Sequence, residues 1–178
     1  MTVFLSGGCK NGKSTLAERS AVNLSAGGPL YYIATMIPRD EEDRQRIRRH
    51  VESRAGLGFE TLEQGTNLLQ VLEKADVRGC FLLDSVTALL SNEMFPGAVF
   101  DAGAGVRVAR ELEEFVKRVK HAVFVSDFLY ADCGGYDQWT ETYRAGLALC
   151  DKTLARCCDA VGEVFAGNHL MYKGELPL

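Results

Sequence analysis

The chain has 178 residues, of which 47% are hydrophobic and 25% are charged, and its formal net charge is −4. This length and composition are typical of a single globular domain, here residues 1–178, whose core needs no metal or disulfide. The acidic balance argues against a general nucleic-acid-binding protein. An anionic ligand must therefore be held by a local cluster of basic residues.

The distribution of cysteines and apolar residues favours a cytoplasmic location. The N-terminal segment "MTVFLSGG" has no cationic leader, so we expect no export. No apolar run is long enough to span a bilayer. The six cysteines form no C-x-x-C pair, which argues against a zinc site, and we expect free thiols.

Short apolar runs alternate with longer amphipathic segments along the chain. The runs are continuously hydrophobic, as in a parallel sheet that is covered on both faces. They predict strands at 2–6, 30–34, 80–84, 122–126 and 160–165, with an edge strand at 169–174. The segments between them predict helices at 13–25, 39–54, 66–75, 85–93, 105–120 and 137–158. Such alternation predicts a mainly parallel, three-layer α/β fold with helices on both faces, and glycines predict mobile loops at 95–105 and 130–137.

The first predicted strand leads into "GGCKNGKS" (7–14), which matches the phosphate-binding pattern G-x-x-x-x-G-K-[ST]. Backbone N–H groups and the start of the next helix face the phosphates in such a loop. By this pattern Lys13 reaches the β- and γ-phosphates, and the Ser14 hydroxyl ligates Mg²⁺. The predicted nucleotide contacts of this P-loop are Gly7, Gly8, Cys9, Lys10, Asn11, Gly12, Lys13, Ser14 and Thr15.

The second predicted helix contains "DRQRIRRHVESR" (43–54), in which a histidine lies among arginines. On a helix Arg46, His50 and Arg54 share one face. Two flanking cations favour the neutral imidazole and attract an anion. The stretch alone fits either a histidine nucleophile for phosphorus or a solvated histidine on a charged helix.

The third apolar run, "CFLLD", ends at Asp84. P-loop proteins commonly place an acid near the metal at the end of another strand, so Asp84 is a candidate Mg²⁺ ligand. Asp and Ser also favour the first position of a helix, which makes capping the alternative role. The two roles are compatible.

Together these segments resemble the adenosylcobinamide kinase/adenosylcobinamide-phosphate guanylyltransferase family of cobalamin biosynthesis. "FLSGGCKNGKSTLAE" is similar to its first strand and P-loop, "YYIAT" (31–35) to its second strand, and "RIRRHVESR" to its R-I-x-x-H-x-x-x-R motif. "FETLE" (59–63) and "LLDSVTALLSN" (82–92) resemble two later segments. The resemblance is good over residues 2–92 and weaker afterwards, where "YRAGLALCDKTLARCCDAV" (143–161) aligns with the last long helix.

The resemblance implies a P-loop NTPase-like fold and two reactions. The first phosphorylates a hydroxyl of adenosylcobinamide with ATP or GTP and Mg²⁺. The second transfers GMP from GTP to the resulting phosphate through a covalent histidine intermediate, with His50 as the nucleophile and Arg46 and Arg54 balancing charge at phosphorus. Further implied nucleotide contacts are Thr35, Met36, Ile37, Arg54, Glu63 and Asp84. A homotrimer is also implied.

The second half departs from the family pattern. Where the family carries Thr/Ser-Asn-Glu, this chain has Ser126, Asp127 and Phe128, and the Asn-Gln pair of the last helix is Asp151-Lys152. The changes lie where we expect the acceptor site, so one activity or the acceptor could differ. Two alternatives stay open: another small P-loop metabolite kinase in which His50 is a charge partner, or a nucleotide-binding regulatory protein.

Overall fold

The computed structural model describes all 178 residues, and its strands form one seven-stranded sheet. The strands are β1 (Thr2–Gly7), β2 (Leu30–Ala34), β3 (Glu60–Glu63), β4 (Cys80–Asp84), β5 (His121–Asp127), β6 (Ala160–Phe165) and β7 (Asn168–Lys173). Their order across the sheet is β3-β2-β4-β5-β1-β6-β7. Six strands run parallel, and β7 pairs antiparallel with β6 at the edge.

Five α-helices and one 3₁₀ helix connect the strands. They are α1 (Lys13–Ser25), α2 (Glu41–Ser53), α3 (Val86–Met94), α4 (Ala104–Arg118) and α5 (Gln138–Cys157), with the 3₁₀ helix at Leu68–Glu73. Asp40, Ser85 and Asp137 cap α2, α3 and α5, because their side chains accept hydrogen bonds from backbone N–H groups of the first turn. None of the five α-helices has the length and apolar composition that a membrane span requires.

The sheet separates two hydrophobic clusters. Successive side chains of a strand point to opposite faces, so in β1 Val3 and Leu5 pack on the α1 side, while Phe4 packs on the side of α3, α4 and α5. Helices therefore cover both faces, and the predicted three-layer, mainly parallel fold is confirmed. Helix α2 contributes no buried residue and is free to form the wall of a cavity.

The structure differs from the sequence-based expectations in two places. Strand β3 has no counterpart among the predicted strands, because the sequence Glu-Thr-Leu-Glu has a single apolar side chain and lies at the sheet edge. The helix expected at 66–75 is a shorter 3₁₀ segment. Asn67 has a left-handed backbone at its start, and the bonds from Gln70 N–H to Asn67 and from Lys74 N–H to Val71 span three residues.

Candidate functional site

The P-loop joins β1 to α1 and wraps around the side chain of Lys13. Lys13 is only 5% exposed, and its Nζ donates hydrogen bonds to the Gly8 carbonyl at 2.6 Å and to Asp127 Oδ1 at 2.7 Å. A Cβ on Gly7 would lie 2.3 Å from the Val164 carbonyl oxygen, so only glycine fits there. Gly12 takes a left-handed φ of 88° just before the helix begins. The loop therefore holds a buried cation at the position where the sequence pattern predicts that phosphates bind.

Ser14, in the first turn of α1, and Asp84, the last residue of β4, meet at the carboxyl edge of the sheet. Ser14 Oγ donates to Asp84 Oδ2 at 2.9 Å, and the Tyr32 hydroxyl donates to the same oxygen at 3.1 Å. Burial and the Asp84 charge raise the pKa of Tyr32, so its hydroxyl keeps the proton that it donates. The capping role belongs to Ser85, whose side chain accepts from Ala88 N–H. A hydroxyl and a carboxylate fit Mg²⁺, which uses few protein oxygens and completes its shell with phosphates and water.

A cavity of about 1160 Å³ extends from the P-loop to helix α2. His50, Arg46 and Arg54 all line it, together with Lys13 and other P-loop residues. The three side chains therefore meet at one cavity. Neighbouring Arg44 and Arg48 also line the cavity but are paired with Glu41, whereas Arg46, Arg49 and Arg54 form no salt bridge within the chain. They are the local basic cluster that an acidic protein needs to bind an anion.

Four effects lower the pKa of His50. Burial is the largest, and the charges of Arg46, Arg54 and Arg49 act in the same direction, while Asp84 opposes them. The sequence predicts the effect of the arginines but not that of burial. The result is an imidazole that is neutral at neutral pH, which is the form that can act as a nucleophile.

Arg54 lies at the end of α2 and is 6% exposed. Its guanidinium carbon lies 3.3 Å from the centroid of the Tyr32 ring, a cation–π contact. Its Nη1 is buried without a hydrogen-bond partner. Because a buried unpaired donor is unfavourable, this nitrogen is well suited to an oxygen of a bound phosphate.

The remaining predicted residues fall into two groups. Met36, Ile37 and Glu63 line the cavity. Thr35 is fully buried and bonds the Ser85 backbone twice, accepting from its N–H at 2.8 Å and donating to its carbonyl at 2.9 Å. In this structure Thr35 therefore ties the end of β2 to the start of α3.

Asp127 was not among the predicted site residues. It ends β5, the strand next to β1, and its side chain lies in the cavity against Lys13. Its sequence pattern is the same as that of Asp84, because both acids end a buried apolar strand. Only the strand order, which places β5 between β4 and β1, brings it to the lysine.

Comparison with known proteins identifies the family of the chain. The chain matches the family "Cobinamide kinase / cobinamide phosphate guanyltransferase" over residues 3–171. It belongs to this family. The match extends through β5, α5 and β6, beyond the first half in which the resemblance was strongest.

One curated relative is the bifunctional adenosylcobalamin biosynthesis protein CobP of Pseudomonas aeruginosa. It is 37% identical over 93 residues, which is 52% of this chain and 52% of the relative. The match thus spans about half the length of each protein.

Two solved structures share the fold of this family member. A protein of Pyrococcus horikoshii OT3 has a TM-score of 0.53 at 9% identity, over 97% of this chain and 86% of that one. The second structure, an ATPase domain, has a TM-score of 0.50 at 12% identity, over 91% of this chain and 68% of that one. Both likenesses concern the fold alone and agree with an α/β P-loop architecture.

Proposed function

We propose that the protein carries out two steps of cobalamin biosynthesis, phosphorylating adenosylcobinamide with ATP or GTP and then transferring GMP from GTP to the product. The observation that carries the proposal is that His50 and the P-loop lysine line one cavity. A nucleotide bound there has its phosphates between Lys13 and the basic cluster of α2. The family membership and the name of the curated relative support the same pathway.

In the kinase step the chain positions the terminal phosphate and balances its charge. Lys13 exchanges Asp127 for phosphate oxygens, and the backbone N–H groups of the P-loop bind their neighbours. Ser14 and Asp84 would hold Mg²⁺, which neutralises charge developing on the phosphates. The acceptor hydroxyl attacks the γ-phosphorus and loses its proton to water, the bond to the bridging oxygen breaks, and a nucleoside diphosphate leaves.

In the guanylyl step His50 is the nucleophile. A neutral imidazole nitrogen attacks the α-phosphorus of GTP, a P–N bond forms, the α–β bond breaks and pyrophosphate leaves. An oxygen of adenosylcobinamide phosphate then attacks the same phosphorus, and the P–N bond breaks to restore the imidazole. The lowered pKa of His50 supports this role, and Arg46 and Arg54 offer cations for the charge at phosphorus.

Other residues that line the same cavity are candidates for recognition of the guanine base. Glu63 is an exposed carboxylate at the end of β3 and lines the cavity with Met36 and Ile37. A carboxylate accepts hydrogen bonds from the N1–H and N2–H₂ groups of guanine. We propose this role for Glu63, with the two apolar side chains packing near the base.

The test of the proposed function is incubation with GTP, Mg²⁺ and adenosylcobinamide, followed by mass analysis of the corrinoid. We expect first the phosphate and then the GDP adduct of the corrinoid. GTP labelled at the γ-phosphate reports the first step, and GTP labelled at the α-phosphate reports the second. A corrinoid that gains only phosphate would identify a kinase alone, and an unchanged corrinoid would favour a regulatory nucleotide-binding protein.

A further inference from the structure

A cluster of four aromatic rings lies beside the nucleotide site and takes no part in the reactions described above. The loop between α3 and α4 supplies Phe95 and Phe100, whose ring centroids are 5.5 Å apart. The first turns of α5 supply Trp139 and Tyr143, which are four residues apart and share a helix face. Trp139 stacks on Phe100 at 5.7 Å, and Tyr143 lies 6.2 Å from Phe95. The four rings therefore form one continuous aromatic cluster.

The outer end of this cluster is open to solvent. Trp139 is 61% exposed although Phe100 covers one face of its ring, and Val99 in the adjoining loop is 64% exposed. Large apolar side chains that are grouped at the surface often mark a binding site. A tryptophan fixed by stacking offers a rigid, flat surface to a ligand.

The inner end of the cluster is connected to the P-loop by three hydrogen bonds. The Tyr143 hydroxyl donates to the Thr87 carbonyl at 2.9 Å, and the Thr87 hydroxyl accepts from the Asp127 N–H at 2.9 Å. Asp127 in turn accepts from Lys13 Nζ at 2.7 Å. Trp139 is about one helical turn beyond Tyr143. The open ring therefore lies outside the phosphate site but on a side of the molecule that is continuous with it.

The charge near the cluster is opposite to that of α2. Residues 127–143 contain four acidic residues and no lysine or arginine. Asp132 and Glu141 share a single guanidinium, that of Arg144, and Asp137 forms no salt bridge but caps α5. The surface next to Trp139 therefore keeps a negative charge and attracts cations, whereas the basic cluster of α2 attracts the phosphates.

We propose that the open face of Trp139 binds the corrin ring of adenosylcobinamide, so that the hydroxyl arm of the corrinoid extends past Thr87 toward the terminal phosphate at Lys13. This inference rests on the proposed function. The corrinoid fits the site because its ring is broad and largely apolar. It also carries a net positive charge, since the corrin and the adenosyl carbon neutralise cobalt(III) only in part. A cation over the face of tryptophan gains a further electrostatic attraction.

Equilibrium dialysis of the full chain against adenosylcobinamide in the dark, with visible absorbance as the readout, tests this site. We expect Trp139→Ala to raise the dissociation constant for the corrinoid about tenfold, because the stacking surface is lost. Trp139→Phe keeps an aromatic face and should recover part of that loss. The KM for adenosylcobinamide in the kinase reaction should rise in parallel, while the KM for GTP stays unchanged. Added sodium chloride should weaken corrinoid binding, because it screens the charges.

Leu149→Ala provides the matched control. Leu149 is a second exposed apolar side chain of α5, at 39% exposure, and lies roughly three turns further along the helix. This variant should bind the corrinoid as the wild type does. Both this inference and the proposed function fail if the wild type neither binds nor phosphorylates adenosylcobinamide.

Three results would overturn the inference alone, with a wild type that still phosphorylates adenosylcobinamide. The first is an unchanged affinity in Trp139→Ala, and the second is an equal loss in Leu149→Ala. The third is a Trp139→Ala variant that loses oligomeric mass in light scattering but keeps its affinity for the corrinoid. That result would identify the aromatic cluster as a contact between copies of the chain.

Discussion

Lys13 is the residue on which both proposed reactions depend. Its ammonium group is buried inside the loop and is directed by the Gly8 carbonyl and Asp127. We expect Lys13→Ala to lose kinase and guanylyl transfer while the fold persists. By analogy with deletion of one oxyanion-hole donor, the transition state loses about 2–4 kcal/mol. Transfer of γ-labelled phosphate measures this, with Lys117→Ala on the exposed side of α4 as the control. Full turnover of Lys13→Ala would refute the assigned role.

Asp127 competes with the nucleotide for the same lysine. Both partners of this ion pair are largely shielded, with side-chain exposures of 6% for Lys13 and 18% for Asp127. Removing one partner leaves the other charge buried and uncompensated. Asp127→Asn should therefore destabilise the free protein and bind nucleotide more tightly, by about tenfold.

Nucleotide titration and chemical denaturation of the Asp127→Asn variant measure the two effects. Thr87 offers a control, because its hydroxyl accepts from the Asp127 N–H and orients the backbone but not the charge. Thr87→Ala should not tighten binding. Weaker nucleotide binding by Asp127→Asn would contradict the competition between the carboxylate and the phosphates.

At the scale of elements, the P-loop contains a cysteine whose alkylation reports whether a nucleotide is bound. Cys9 lies in the loop and is exposed, as is Cys133, whereas Cys80, Cys150 and Cys158 are buried. Alkylation of Cys9 should block nucleotide binding, because the added group occupies the phosphate site. GTP with Mg²⁺ should protect Cys9 and leave Cys133 fully reactive, as measured by peptide mass spectrometry. Equal labelling of Cys9 with and without GTP would contradict the predicted loop contacts.

The sequence predicts those elements whose physical signal is local. Strand β4 is a continuous apolar run that ends at Asp84, so both the strand and the acid could be recognised. Strand β3 has three exposed residues of four and therefore has no such signal. The burial of Arg54 on the Tyr32 ring and the approach of Asp127 to Lys13 depend on strand order and loop path, which a linear pattern does not encode.

At the scale of the whole molecule, the resemblance predicts a homotrimer. The terminal hairpin presents apolar side chains to solvent, with Phe165 at 69% exposure, Leu170 at 59% and Tyr172 at 65%. Large apolar side chains exposed in this way often mark a protein interface. Light scattering of the purified chain measures the mass directly. A monomeric mass would remove the prediction.

Helix α2 brings His50 to the cavity that the P-loop also lines. Incubation with GTP and Mg²⁺, followed by intact-protein mass spectrometry, tests the guanylylation of His50 most directly. We expect an adduct of GMP mass that is labile in acid and stable in base, as a phosphoramidate is. His50→Ala should lose the adduct and guanylyl transfer but retain most of the kinase activity.

The other two histidines provide matched controls in the same measurement. His121 Nδ1 lies 3.0 Å from the N-terminal amine, and His169 is exposed on β7, so neither lines the nucleotide cavity. His121→Ala and His169→Ala should still form the adduct. An adduct that persists in His50→Ala, or a wild type that forms none while it phosphorylates adenosylcobinamide, would contradict the account and leave the protein a kinase only.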